Sequence, residues 1–197
     1  MINILQKNYN EIIKQIDDSI NIKNLIKKDY LEKINNTAEI IIDAYNNQKK
    51  VLWMGNGGSA ADAQHLACEL VSKFNMERKA LSSIALTTNT SLLTAISNDY
   101  DFTNIFTRQI EGLANKGDIL IGITTSGKSK NIINAMKFGK KIGTINIAFT
   151  GEYAKDLDEY SDITIAIPSN KTPRIQELHI MIGHIICDLI EKSLFSK

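Results

Sequence analysis

Gly55-Asn-Gly-Gly-Ser-Ala-Ala-Asp-Ala-Gln-His-Leu-Ala-Cys-Glu69 follows directly on Val51-Leu-Trp-Met54, and this junction decides the fold. Val51–Met54 is a continuous apolar strand candidate. Gly55, Gly57 and Gly58 let the backbone turn sharply and approach a ligand without Cβ clashes. Ser59 is a natural N-cap for a helix opening on Ala60-Ala61-Asp62-Ala63. The unit reads strand, glycine loop, helix, an arrangement that points free N–H groups at an anion. His65 and Glu69, four residues apart, share one face of that helix. The plain alternative is a tightly packed loop followed by a solvated His and Glu.

Outward from this point, the chain alternates strands and helices. Ser83–Thr87 is a short strand, Asn89–Ser97 a short helix, 98–101 a loop and Thr103–Leu113 a helix. Ile119–Ile123 is the apolar run of a central parallel strand. Thr124-Thr-Ser-Gly-Lys-Ser129 leads into a helix over Lys130–Ile142, ended by Gly143. Strands follow at Thr144–Phe149 and Asp162–Ile167, with a short helix over Tyr153–Tyr160 between them. A long helix over Pro173–Leu194 opens on a proline. Before the first strand lie two helical stripes. Leu5, Tyr9, Ile12, Ile13, Ile16 and Ile20 form one, interrupted at Asn21–Asn24; Leu31, Ile34, Ala38, Ile41, Ile42 and Tyr45 form the other. The expectation is one α/β domain over 1–197: a three-layer αβα sandwich on a five-stranded parallel sheet, with two extra N-terminal helices over 1–47. Those helices suit a subunit interface, although packing on the chain's own body is equally allowed.

The 197 residues carry a net charge of +1, which excludes nucleic-acid binding driven by phosphate neutralisation. No stretch is apolar enough for a membrane span, and Met1–Lys7 lacks the uninterrupted apolar core of a signal peptide. Cys68 and Cys187 have no C-x-x-C partner and read as buried thiols of a cytoplasmic protein.

Both loops, 55–59 and 124–129, fall at carboxyl strand ends, where ligands bind in such sheets. Thr124, Thr125, Ser126 and Ser129 supply hydroxyls beside a helix N-terminus, a phosphomonoester site. Neither loop is a Walker A or a G-x-G-x-x-G fingerprint, so ATP and NAD are poor ligands. On the last helix, at about 100° per residue, Gln176, Ile180 and His184 share one stripe, while His179 points away to a surface or an interface. His65, Glu69 and His184 could offer two imidazoles and a carboxylate to zinc, with Gln176 adding an amide oxygen. Glu69 is also a candidate general base and His184 its acid/base partner.

These residues resemble a family. N-G-G-S-A-A-D-A-Q-H at 56–65 with Glu69, N-D-Y at 98–100, T-S-G-x-S at 125–129 and R-I-Q-E-L-H-I-x-x-G-H at 174–184 look like the sedoheptulose-7-phosphate (phosphoheptose) isomerases of the sugar-isomerase, or SIS, fold. The likeness covers nearly the whole chain. It implies a flavodoxin-like five-stranded parallel sheet, a homotetramer with active sites between subunits, and conversion of sedoheptulose 7-phosphate to D-glycero-D-manno-heptose 7-phosphate for nucleotide-activated heptoses. It further implies one zinc per subunit on His65, Glu69, Gln176 and His184. Glu69 and His184 would move protons between C1 and C2 through an enediol. Asn56, Gly57, Gly58, Ser59, Glu69, Asn98, Asp99, Thr124, Thr125, Ser126, Ser129 and Gln176 would contact the sugar phosphate. Two positions depart from the family's habit. Lys128 stands where Asn is frequent, and its side chain is expected in solvent. Thr124 stands where Ser is frequent, which keeps the hydroxyl. Two other readings compete: a SIS protein that binds a replication-initiator protein, and an isomerase or regulator for another sugar phosphate. Neither has a chemical need for the full set of Glu69, Gln176 and His184.

Overall fold

A computed structural model describes residues 2–196. Five strands form one parallel sheet in the order β2-β1-β3-β4-β5: β1 (Val51–Gly55), β2 (Ser83–Ala85), β3 (Ile119–Thr124), β4 (Ile145–Thr150) and β5 (Ile163–Ala166). β1 and β3 are buried along their whole length, as strands covered on both faces must be. Side chains alternate between two apolar layers. Trp53, Ile121 and Phe149 face one layer; Leu52, Met54, Leu120 and Ala148 face the other.

The first layer is roofed by α1 (Ile2–Asp29), α2 (Leu31–Asn46), α3 (Gly58–Val71) and α8 (Thr172–Phe195). The second is roofed by α4 (Thr90–Asp99), α5 (Thr107–Leu113), α6 (Lys130–Ile142) and α7 (Lys155–Asp158). The expected αβα sandwich and its strand order are present. Gly143 ends α6 in the left-handed conformation, at φ 86°.

Several boundaries differ from the sequence reading. α1 runs unbroken through Asn21–Asn24, because asparagine lowers helix propensity without breaking a helix and Ile26 beyond it is buried. Asn98 and Asp99 belong to the last turn of α4, not to a loop; Asn89 caps that helix by accepting from the Leu92 N–H at 3.0 Å. The segment 103–113 divides into a 3₁₀ turn (Phe102–Asn104) and α5.

The two N-terminal helices differ in role. α2 buries Ile34, Ala38, Ile41 and Ala44 in the chain's own core. α1 leaves Leu5, Tyr9, Ile12, Ile13, Ile16 and Ile20 exposed, each at about half of its surface. Among the described residues no helix is long and apolar enough to cross a membrane.

Candidate active site

The glycine loop leaves β1 at its carboxyl end. α3 begins at Gly58, with Gly57 (φ 55°) at the N-cap, so Ser59 lies buried inside the first turn instead of capping it. The early start follows from Gly55, where a Cβ would stand 2.3 Å from the Ser59 carbonyl oxygen. Only glycine lets the loop close that tightly. Gly58 in turn faces the last helix: a Cβ there would meet Gln176 Nε2 at 2.4 Å.

α3 and α8 pack at van der Waals limit. A Cβ on Gly183 would stand 2.5 Å from Leu66 Cδ1, so α8 presents a bare backbone to α3 at this level. That contact sets His184 opposite the first helix's pair. His65 Nε2 lies 2.9 Å from Glu69 Oε1; His184 Nε2 lies 3.3 Å from His65 Nε2 and 3.9 Å from Glu69 Oε1. The two imidazole rings meet edge to face, their centroids 4.8 Å apart. Two nitrogen lone pairs and a carboxylate therefore converge, with ligand atoms within 4.8 Å of one another. This donor set suits zinc, which takes His and carboxylate ligands together and keeps a position open for substrate in catalytic sites. His65 is about half exposed and His184 about a third, so the group sits at an accessible edge of the chain.

The second loop is built of hydroxyls. Buried Thr124 ends β3, and its Oγ1 stands 3.0 Å from Ser129 Oγ and 3.4 Å from Ser126 Oγ. The Lys128 N–H donates to Ser126 Oγ at 3.2 Å. Gly127 (φ 65°) presses on the neighbouring turn; a Cβ there would stand 2.0 Å from the Tyr153 carbonyl oxygen. Thr125 is half-buried and Ser126 exposed. Lys128 is exposed as expected, yet its ammonium rests over the Tyr153 ring, 4.5 Å from the centroid.

Asn131, in the first turn of α6, joins the two loops through Asn56. A cavity of about 560 Å³ opens at the glycine loop, lined by Gly55, Asn56, Gly57, Asn98 and Phe102 among others. Asp99 lies outside it, in a separate cleft with Tyr100 and Arg108.

Two sequence expectations fail here. His179 is not at a surface: it is fully buried, its Nε2 donating to the Thr150 carbonyl at 3.1 Å, and burial lowers its pKa to about 4. The reason is that α8 is enclosed by α2, α3 and β4, so its buried face is wider than one stripe. Cys68 is exposed, whereas Cys187 is buried and its thiol is pushed up to about 12 by that burial. Sequence reasoning also missed Asn131. The only signal available was a polar residue at a position of α6 that the sheet must cover.

The SIS domain family matches residues 15–151. The phosphoheptose isomerase of Clostridium acetobutylicum is 54% identical over 190 residues, covering 95% of this chain and 97% of that one. Phosphoheptose isomerase 2 of Campylobacter jejuni is 50% identical over 194 residues, covering 97% and 96%. Among solved structures, a phosphoheptose isomerase from Francisella tularensis superposes with a TM-score of 0.91 at 36% identity, covering 94% of this chain and 98% of that one. One from Neisseria gonorrhoeae gives 0.88 at 38%, covering 93% and 98%.

Proposed function

We infer, because the chain belongs to the SIS-domain family and within it to the phosphoheptose isomerases, that it converts sedoheptulose 7-phosphate to D-glycero-D-manno-heptose 7-phosphate. The product enters the biosynthesis of nucleotide-activated heptoses for lipopolysaccharide core or capsule. The observation that carries the site assignment is the convergence of His65, Glu69 and His184 beside two anion-binding loops.

The phosphate is held by Ser126, Ser129, Thr125 and the main-chain N–H groups where α6 begins, with the helix dipole behind them. Thr124, buried beneath, orients the two serine hydroxyls. Asn56, Gly57 and Asn98 line the path of the sugar chain with Gly58 beside them; Ser59 is buried behind that path, and Asp99 lies in its separate cleft. His65, Glu69, Gln176 and His184 would hold one zinc. When bound, zinc supplies Lewis-acid polarisation of the substrate carbonyl.

Glu69 carries the proton transfer at carbon. Its carboxylate takes a proton from C1 of the ketose, and His184 gives one to the C2 oxygen, forming the enediol. Return of the carbon proton to C2, with His184 taking the proton from the C1 oxygen, yields the aldose. No redox cofactor is required, because the electrons stay within the sugar. Glu69 has two oxygens, and one faces His65 while the other is left for the C1 proton.

Assembly as a homotetramer in the cytoplasm accounts for the apolar stripe on α1 and for the open edge at His65. The test is made in D₂O, with the zinc-loaded protein, sedoheptulose 7-phosphate and NMR detection, with and without a chelator. An aldoheptose 7-phosphate that appears and is slowed by chelator is the expected result. Silence from folded, zinc-loaded protein overturns the reading and moves it to a binding function.

A further inference from the structure

One buried ion pair lies beyond the site, and it touches both helices that carry the ligand set. Arg78 and Glu191 have side chains only 1% exposed. Arg78 Nε donates to Glu191 Oε1 at 2.9 Å. The rest of the guanidinium turns to the end of α3: one nitrogen donates to the Glu69 carbonyl at 2.9 Å and the other to the Leu70 carbonyl at 2.8 Å. These are carbonyls of the last helical turn, beyond the reach of the helix's own donors; the Leu70 carbonyl also accepts the Leu81 N–H at 3.1 Å. Glu191 stands on α8, two turns beyond His184. It also accepts the N–H groups of Phe74, Asn75 and Met76, at 2.9, 2.6 and 2.9 Å. Burial pushes its carboxyl up, but those three N–H groups and Arg78 outweigh it and hold the carboxyl below its ordinary value.

The segment between α3 and β2 is thereby fastened across α8. The fastening has a visible consequence at the site, because it lays the Phe74 ring beside His184, with centroids 5.6 Å apart. His65 and Glu69 come from α3 and His184 from α8, so their spacing is a spacing between two helices. Gly183 against Leu66 fixes how closely these helices approach. Arg78 and Glu191 fix how far one slides along the other, since the guanidinium binds the backbone of Glu69 itself. A buried arginine fork is suited to this, as it gives several donors in one rigid plane. A well-packed apolar pair would fill the same volume without fixing the register.

We propose that Arg78 and Glu191 are positioning residues that hold Glu69 and His184 at metal-binding distance, with Phe74 as the part that orients the His184 ring. This rests on the reading of His65, Glu69 and His184 as the zinc site. Neither residue touches substrate. Their loss should spoil the ligand geometry and leave the phosphate loop, at the N-terminus of α6 and outside the Arg78–Glu191 contacts, as it is.

The experiment uses Arg78→Lys, which keeps the charge but gathers its donors on one nitrogen in place of the planar fork, and Phe74→Leu, which leaves the ion pair untouched. Leu157→Ala, in the opposite apolar layer, serves as the control for loss of stability alone. Each purified full-length protein is titrated with Co²⁺ and followed by its visible ligand-field spectrum, and kcat and KM are measured after zinc loading. Arg78→Lys is expected to lower metal affinity about tenfold or more and to alter the Co²⁺ spectrum, with kcat falling and KM within about twofold. Phe74→Leu should do the same to a smaller degree, and Leu157→Ala should lower Tm with the parent's spectrum and affinity. Parent-like spectra and affinity in both Arg78→Lys and Phe74→Leu overturn the proposal, as does an equal loss in Leu157→Ala. A parent that takes up no Co²⁺ or Zn²⁺ overturns the zinc reading itself and this inference with it.

Discussion

The side-chain amides of Asn56 and Asn131 exchange two hydrogen bonds, each 2.9 Å long and one in each direction. Asn56 follows β1 and Asn131 opens α6, so this pair ties the glycine loop to the hydroxyl loop. Asn131→Ala should therefore loosen both loops at once. The expected outcome is a KM for the sugar phosphate raised roughly tenfold, with kcat changed less, because a reciprocal amide pair lost in a part-buried place costs about 1–2 kcal/mol. Steady-state kinetics decide it; an unchanged KM would show that the loops are held independently.

Glu69→Gln should remove turnover by about a hundredfold or more while the sugar phosphate still binds, since the amide keeps the shape and cannot take the C1 proton. Isothermal titration with the sugar phosphate checks binding, and the isomerase assay checks turnover. Full activity in this variant refutes the role given to Glu69.

Ser126→Ala and His179→Ala should fail in different ways. Ser126 is exposed at the phosphate loop, so its loss should raise KM about tenfold and leave Tm near the parent's. His179 is a core residue bonded to the β4 carbonyl, so its loss should lower Tm by opening a cavity. Thermal melts beside kinetics separate the two.

His179 also makes stability depend on pH. Its pKa in the folded protein is lowered to about 4 from 6.5, so the unfolded chain binds the proton more readily. The contribution is fully present above pH 6.5 and is lost as pH falls toward 4, about 3 kcal/mol in all. Urea unfolding across that range should show the decline, and His179→Gln, which keeps a donor for the Thr150 carbonyl without titrating, should flatten it.

Two glycines make a contrasting pair. Gly127→Ala puts a Cβ 2.0 Å from the Tyr153 main-chain oxygen at φ 65°, and the conformation alone costs about 1–2 kcal/mol. It should lower Tm and raise KM together. Gly58→Ala meets only the far end of the Gln176 side chain, which can move. It should keep Tm and disturb the site through Gln176, seen as weaker zinc retention against a chelator.

The strands and the His65/Glu69 pair were legible in the sequence because each depends on local spacing; the strand order, and the joining of His184 from 119 positions away, rested on donor chemistry and the family resemblance. Continuous apolar runs mark buried parallel strands, and i, i+4 spacing puts His65 and Glu69 on one face. What was not legible depends on how helices meet. The burial of His179 requires knowing that α8 is enclosed on several sides. The Asn56–Asn131 pair and the Arg78–Glu191 pair join residues 75 and 113 positions apart, and no periodicity reports such distances. The cap was misplaced by two positions for a different reason: Gly57 can adopt the loop conformation that ends in the helix, and the cap moved to it from Ser59.

The two outer strands are short, three residues in β2 and four in β5, while β3 and β4 between them have six each. The long interior strands, Ile119–Thr124 above all, combine β-branched residues with no charge and no proline, a composition prone to stack on copies of itself. Their main-chain groups are already paired on both sides, and the borders that remain free are too brief to template another chain. The Tyr30 hydroxyl further occupies the Ala166 carbonyl on β5. Cutting the chain before Ile163 would strip that border and bare β4, so a truncated or mistranslated product should nucleate fibrils where the full-length chain does not.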